Sequence, residues 1–148
     1  MNNALKDSAY ERVSNAIAAG TDDTTNCTVV DMAGYDAVEF ITAVGAITAT
    51  GTLNVKLQQG AESDLSDAAD LEGSNQAYTD ADDNKIMIHD LVRPQERYVR
   101  VVLIRATANV VIDGVFARKY RAKSKPTTQS SSHVVGSELH VSPAEGTA

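Results

Sequence analysis

Between Gly51 and Gly60 the apolar residues Leu53, Val55 and Leu57 alternate with the polar residues Asn54, Lys56 and Gln58. Successive side chains of an extended chain point to opposite faces, so this two-residue period predicts a strand with one face buried and the other wet. Similar short, β-branched runs recur along the chain, separated by Gly, Asp, Asn and Pro. They predict strands at Thr25–Val30, Ala37–Val44, Lys85–His89, Tyr98–Arg105 and Val110–Tyr120. In the second of these, Val38, Phe40 and Thr42 fall on one side and Glu39, Ile41 and Ala43 on the other. Tyr98–Arg105 is apolar on both faces except for its arginines, which predicts a central strand. Asp31–Asp36 reads as a turn, Pro94 favours a turn over a central ladder position, and Asp113-Gly114 invites a bulge. Strands joined by short turns, without the crossover helices of a parallel sheet, predict an antiparallel all-β domain over residues 25–120. The simplest forms are a β-sandwich or a jelly-roll-like barrel.

Three segments depart from that pattern. In residues 1–24, Leu5, Ala9, Val13 and Ile17 lie near helical spacing before Gly20, while Asn, Ser and Thr interrupt the stripe. A short amphipathic helix and an extended arm are both compatible with it. Residues 61–83 are acidic and aperiodic, predicting a long surface excursion anchored by Leu65, Leu71 and Tyr78. Residues 121–148 are rich in Lys, Ser, Thr, Gln and Gly, too polar to form a core, and predict an extended arm that needs a partner to become fixed. Within that arm Val134, Val135, Leu139 and Val141 are spaced to add a strand to a neighbour.

Composition narrows the function classes. The chain has 148 residues, 43% of them hydrophobic, and one cysteine, Cys27, so a core can form and no internal disulfide can. A formal net charge of −7 disfavours nucleic acid as the main partner. With no Trp and only 5% aromatic residues, sugar- or base-stacking platforms are disfavoured too. The sequence has neither an apolar run of membrane-spanning length nor the layout of a secretory signal at its start, so a soluble, unexported protein is expected, without a membrane partner.

Catalytic and metal-binding signals are weak. His89, His133 and His140 are scattered, and two of them lie in the polar tail, where no rigid scaffold holds a general base. Cys27 lies in a β-branched run and reads as a buried, inert thiol. Asp80-Ala81-Asp82-Asp83-Asn84 opens like a calcium loop, but Lys85 stands at the position of the turn glycine and Leu91 at that of the bidentate glutamate. A solvated turn is the better reading. With no phosphate-cradling glycine loop, paired-cysteine spacing or dinucleotide fingerprint, neither an enzyme nor a cofactor is expected.

Charge is unevenly distributed. Acids crowd Glu62–Asp90, where Lys85 is the only base, and bases crowd Arg93–Lys125, where Glu96 and Asp113 are the only acids. The two blocks can pair within one domain, or face opposite signs on neighbouring molecules and so fix register.

Residues Asp31–Phe40, Gly51–Gln58, Asp64–Gly73 and above all Arg97-Tyr98-Val99-Arg100-Val101-Val102-Leu103 carry a resemblance. In them the chain resembles small virion structural proteins of tailed bacteriophages, notably capsid decoration or cement proteins. The resemblance spans residues 31–118 and includes no catalytic signature. The long tail after Tyr120 departs from the commoner pattern.

The resemblance implies a non-enzymatic protein on the capsid exterior that stabilises the shell by bridging neighbouring major capsid subunits. Its copies would associate with one another, in trimers if they sit on three-fold axes. The residues expected to meet partners are Arg93, Arg97, Arg118, Lys119, Arg121, Lys123 and Lys125, with Val134, Val135, Leu139 and Val141 of the tail. A neck, head-tail connector or tail component is the alternative within the virion, and a carbohydrate-binding or adhesive β-sandwich is the alternative outside it.

Overall fold

A computed structural model describes residues 3–142 and 144–147. The chain is all-β, with two antiparallel sheets packed face to face and one short helix, α1 (Ala4–Asp7). The strands are β1 (Ala9–Ser14), β2 (Ile17–Gly20), β3 (Asp23–Asn26), β4 (Val30–Asp31), β5 (Tyr35–Ile47), β6 (Thr52–Gly60), β7 (Ala69–Asp70), β8 (Gln76–Tyr78), β9 (Ile86–Val92), β10 (Tyr98–Ala106) and β11 (Val110–Ala122). One sheet runs β1-β11-β5-β9, with β2 also on β11. The other runs β3-β10-β6-β7, with β4 on β10 and β8 on β6.

The two-residue period of the sequence sets which face of each strand is buried. Leu53, Val55 and Leu57 of β6 face Val38, Phe40 and Val44 of β5 across the sandwich, with Val99, Val101 and Leu103 of β10 and Ile112 and Val115 of β11 completing the core. Glu39, Ile41 and Ala43 of β5 stay on the outer face. β10 is central, flanked by β6 on one side and by β3 and β4 on the other. Where Asp113-Gly114 interrupts β11 the register shifts, and Gly114 takes φ +151°, a conformation that L side chains rarely adopt.

Several expectations need correction. Of the segment expected as an arm or short helix over residues 1–24, residues 1 and 2 lie outside the described residues, and residues 3–24 are neither an arm nor mainly a helix: α1 covers four residues, and β1 and β2 then join the first sheet, with Val13 only 1% exposed. A spacing of four residues fits both a helical turn and two strand repeats, so Ala9, Val13 and Ile17 satisfied either pattern. The domain therefore begins at Ala9 rather than at residue 25. The strand expected over Thr25–Val30 is split into β3 and β4, both paired with β10.

The excursion over residues 61–83 is anchored by buried Leu65 and Tyr78, the Tyr78 hydroxyl donating to the Thr42 carbonyl at 2.8 Å, and it adds β7 and β8 to β6. At the C-terminal end, β11 runs on through Ala122, and the next residues fold back on the domain. The Thr127 amide donates to the Lys6 carbonyl at 2.9 Å. Gln129 accepts from the Tyr10 amide at 3.0 Å and donates to the Ser8 carbonyl at 2.8 Å. The free arm thus starts near residue 130, not at 121. Among the described residues no helix is long and apolar enough to cross a membrane.

Candidate assembly surface

Most of the basic residues expected to face partners are neutralised within the chain. Arg97 forms a bidentate pair with Asp31 at 2.7 and 2.8 Å. Arg118 reaches Glu39 at 3.3 Å, Lys119 reaches Glu11 at 2.5 Å, Lys123 reaches Asp36 at 3.5 Å and Lys125 reaches Asp7 at 3.0 Å. These acids come from the first third of the chain, not from the acidic block over Glu62–Asp90. Among the described residues Arg93 and Arg121 have no ion pair. The fold gathers Arg93, Arg97 and Lys123 around one open cavity of about 350 Å³, and leaves Arg118, Lys119, Arg121 and Lys125 outside it.

The acidic segments are likewise accounted for by local contacts. Asp82 accepts from Thr79 and pairs with Lys85, and Asp83 accepts from the Ile47 amide at 2.7 Å, so the calcium-like run is a hydrogen-bonded turn. The Lys85 contact, with the Thr79 hydrogen bonds, holds the Asp82 carboxyl down at about 2. Cys27 is buried and its thiol is pushed up to about 12 by desolvation, which removes the thiolate needed of a nucleophile. Of the three histidines, His89 is buried and lies 2.9 Å from the Ser74 carbonyl through Nε2. A carbonyl only accepts, so Nε2 carries the proton, and Nδ1 has no hydrogen-bond partner among the described residues. His133 and His140 are exposed in the arm.

The outer face of the first sheet and its β9 edge carry the apolar surface. Phe116, Ile41 and Ile88 lie opposite one another on β11, β5 and β9, forming a row across three strands. Phe116 is 41%, Ile88 48% and Ile86 59% exposed. A row of Arg118, Glu39 and Asp90 borders this patch on one side. Sequence reading missed Ile86, Ile88 and Phe116 because an isoleucine or phenylalanine in a strand ordinarily signals core, and only the topology shows that these point outward.

β9 is the last strand of its sheet, and among the described residues no strand pairs with its far side. The Val44 amide donates to Lys85 O and the Arg93 amide to Asp36 O, so odd-numbered residues bond to β5. The backbone groups of Ile86, Ile88, Asp90 and Val92 therefore turn to the open side. Along the same edge three cavities of about 290, 300 and 370 Å³ run end to end between β9 and the β7–β8 excursion. They share Gln76 and Ile88 at one junction, and Leu71, Glu72 and Leu91 at the other.

Val134 is half-buried beside a turn closed by its own amide donating to Ser130 O at 2.9 Å, whereas Val135, Leu139 and Val141 are exposed. The structure thus separates the four tail residues that sequence reading grouped together.

No family model and no curated protein matches this chain. Among solved structures it is similar, at a TM-score of 0.48 and 11% identity, to a chain described under the words "Bacillus endospore appendages form a novel family of disulfide-linked pili". The match covers 81% of this chain and 93% of that one.

Proposed function

We propose that this chain is a non-enzymatic structural protein of a tailed-bacteriophage particle that decorates the capsid exterior and stabilises it by bridging neighbouring major capsid subunits. The observation that carries this reading is the arm beyond Gln129, which leaves the domain with Val135, Leu139 and Val141 exposed. Apolar side chains on a polar, extended segment contribute nothing to the fold they leave, and their burial becomes favourable only on another surface.

A rigid sandwich with a protruding arm suits multivalent gripping, since each further contact on an ordered shell is made at high effective concentration. The arm gives up conformational entropy when it binds, and in return covers a long surface. The resemblance in residues 31–118 to small virion proteins supports the same reading. The outer apolar row of Phe116, Ile41 and Ile88, bordered by charged residues, gives the domain a face of its own for a partner.

Quantitative mass spectrometry of purified particles tests this. A shell-wide coat gives on the order of hundreds of copies, whereas a neck ring gives about a dozen, as point-group symmetry requires. Copies in the hundreds, released together with a fall in capsid stability, are the expected result. A ring-sized count would move the protein to the neck or tail, and absence from particles would overturn the virion reading.

A further inference from the structure

We infer that the open edge of β9 is an acceptor for the C-terminal arm of a second copy of this chain, which adds an antiparallel strand there. The two long edges of the first sheet differ. At the start of β1, the segment around Thr127 and Gln129 bonds to Leu5, Ser8 and Tyr10 and so caps that end of the edge. Along β9 the backbone groups of Ile86, Ile88, Asp90 and Val92 are open, with Ile86 and Ile88 exposed and no proline within the strand. Isolated proteins generally blunt such edges with charge, proline or a cover, because an open apolar strand templates pairing.

The arm has the complementary pattern. Val135, Leu139 and Val141 are all odd-numbered, so in an extended chain they share one face, while Gly136, Glu138 and His140 share the other. One antiparallel register fits both partners. It sets Leu139 beside Leu91 and Val141 beside His89, so that the apolar face enters the groove lined by Leu71 and Leu57. On the outer face it sets His140 opposite Asp90, and Glu138 opposite Val92 and next to Arg93, a base with no ion pair of its own among the described residues. The edge residues Asp90 and Val92 are among those whose backbone groups face outward, as strand addition requires. Charge agrees with the apolar pair Leu139 and Val141 on this alignment, which leaves Val135 opposite Gln95, beyond the end of β9. Because donor and acceptor are different parts of the molecule, the contact is heterologous and closes into a ring or continues as a chain.

Complementation between two full-length variants tests this. Leu139→Asp with Val141→Asp disables the arm at exposed positions. Ile88→Pro removes a donor only from the open side of β9 and leaves its bonds to β5 in place. Light scattering at about 100 μM is expected to show the unaltered chain as an oligomer that dissociates on dilution and each variant alone as a monomer. An equimolar mixture should form a heterodimer, since one variant keeps the edge and the other keeps the arm. A monomeric unaltered chain, an arm variant that still assembles, or a mixture that stays monomeric would each overturn the assignment. Absence of the protein from capsids would instead overturn the virion reading and leave this result standing.

Discussion

Arg105 and Asp23 clasp one end of the sandwich. The guanidinium, only 6% exposed, forms a bidentate pair with the Asp23 carboxylate and donates to the carbonyls of Ala18 at 2.6 Å and Val110 at 2.9 Å. Arg105 sits on β10 of one sheet, whereas Ala18 and Val110 belong to β2 and β11 of the other, so a single side chain ties the two layers together. Gly20 makes room for it, since a Cβ there would lie 2.8 Å from Arg105 Nη2.

Arg105→Met is expected to lower stability by about 1–3 kcal/mol, because two carbonyls lose their donor in a dry environment. Asp23→Asn should cost less, about 1–2 kcal/mol, because Asp23 is 42% exposed and the guanidinium keeps both carbonyl partners. Urea unfolding of the two variants checks the order.

Acid should unfold the protein in a defined window. Hydrogen bonds from Arg105 and Arg97 hold the carboxyls of Asp23 and Asp31 below the ordinary carboxylate range. A carboxyl with a lowered native pKa stabilises the fold above its unfolded value, near 4, and that contribution disappears as pH falls through the native value. Stability is therefore expected to hold from neutrality to about pH 5 and to fall below about pH 4. Asp23→Asn should flatten that fall, as read by denaturant midpoints between pH 7 and 2. An unchanged slope would show that other groups control the acid limb.

The buried thiol predicts a chemical signature. Cys27 should resist a thiol reagent in the native protein at pH 8 and react fully in urea. Rapid labelling under native conditions would show that the end of β3 opens readily.

Two deletions separate arm from domain. Removal of residues 130–148 should leave the urea midpoint unchanged, because among the described residues the hydrogen bonds of that segment are local ones, at Ser130 and between Glu138 and His140. Removal of residues 121–148 takes away the end of β11 together with the Thr127 and Gln129 bonds to α1 and β1, and should lower the midpoint measurably. Equal midpoints would place the edge of the domain before Arg121.

Much of this fold is legible in the sequence because a half-buried strand writes its orientation directly. The alternation of Leu53, Val55 and Leu57, and of Val38 and Phe40 against Glu39 and Ile41, reappears as buried and outer faces. Asp113-Gly114 marks the bulge in β11. Ala9 and Val13 were ambiguous because their spacing serves helix and strand alike. The inward turn of Arg105 could not be read, since its burial depends on acceptors contributed by residues distant in sequence. The same holds for the candidate surface: Ile86, Ile88 and Phe116 become outer residues only because β9 ends its sheet and β11 turns that face outward. The tail valines stood out as unsupported apolar residues, while the pairing of Arg97, Arg118, Lys119, Lys123 and Lys125 with early acids depended on tertiary proximity.

A density map of the assembled particle gives the most direct measurement. The expected map shows this β-sandwich repeated on the outer shell at contacts between neighbouring capsid subunits, with density for residues 130–142 continuing onto an adjacent molecule. A shell bare of the domain, or a domain whose arm ends without touching any neighbour, would contradict the bridging role.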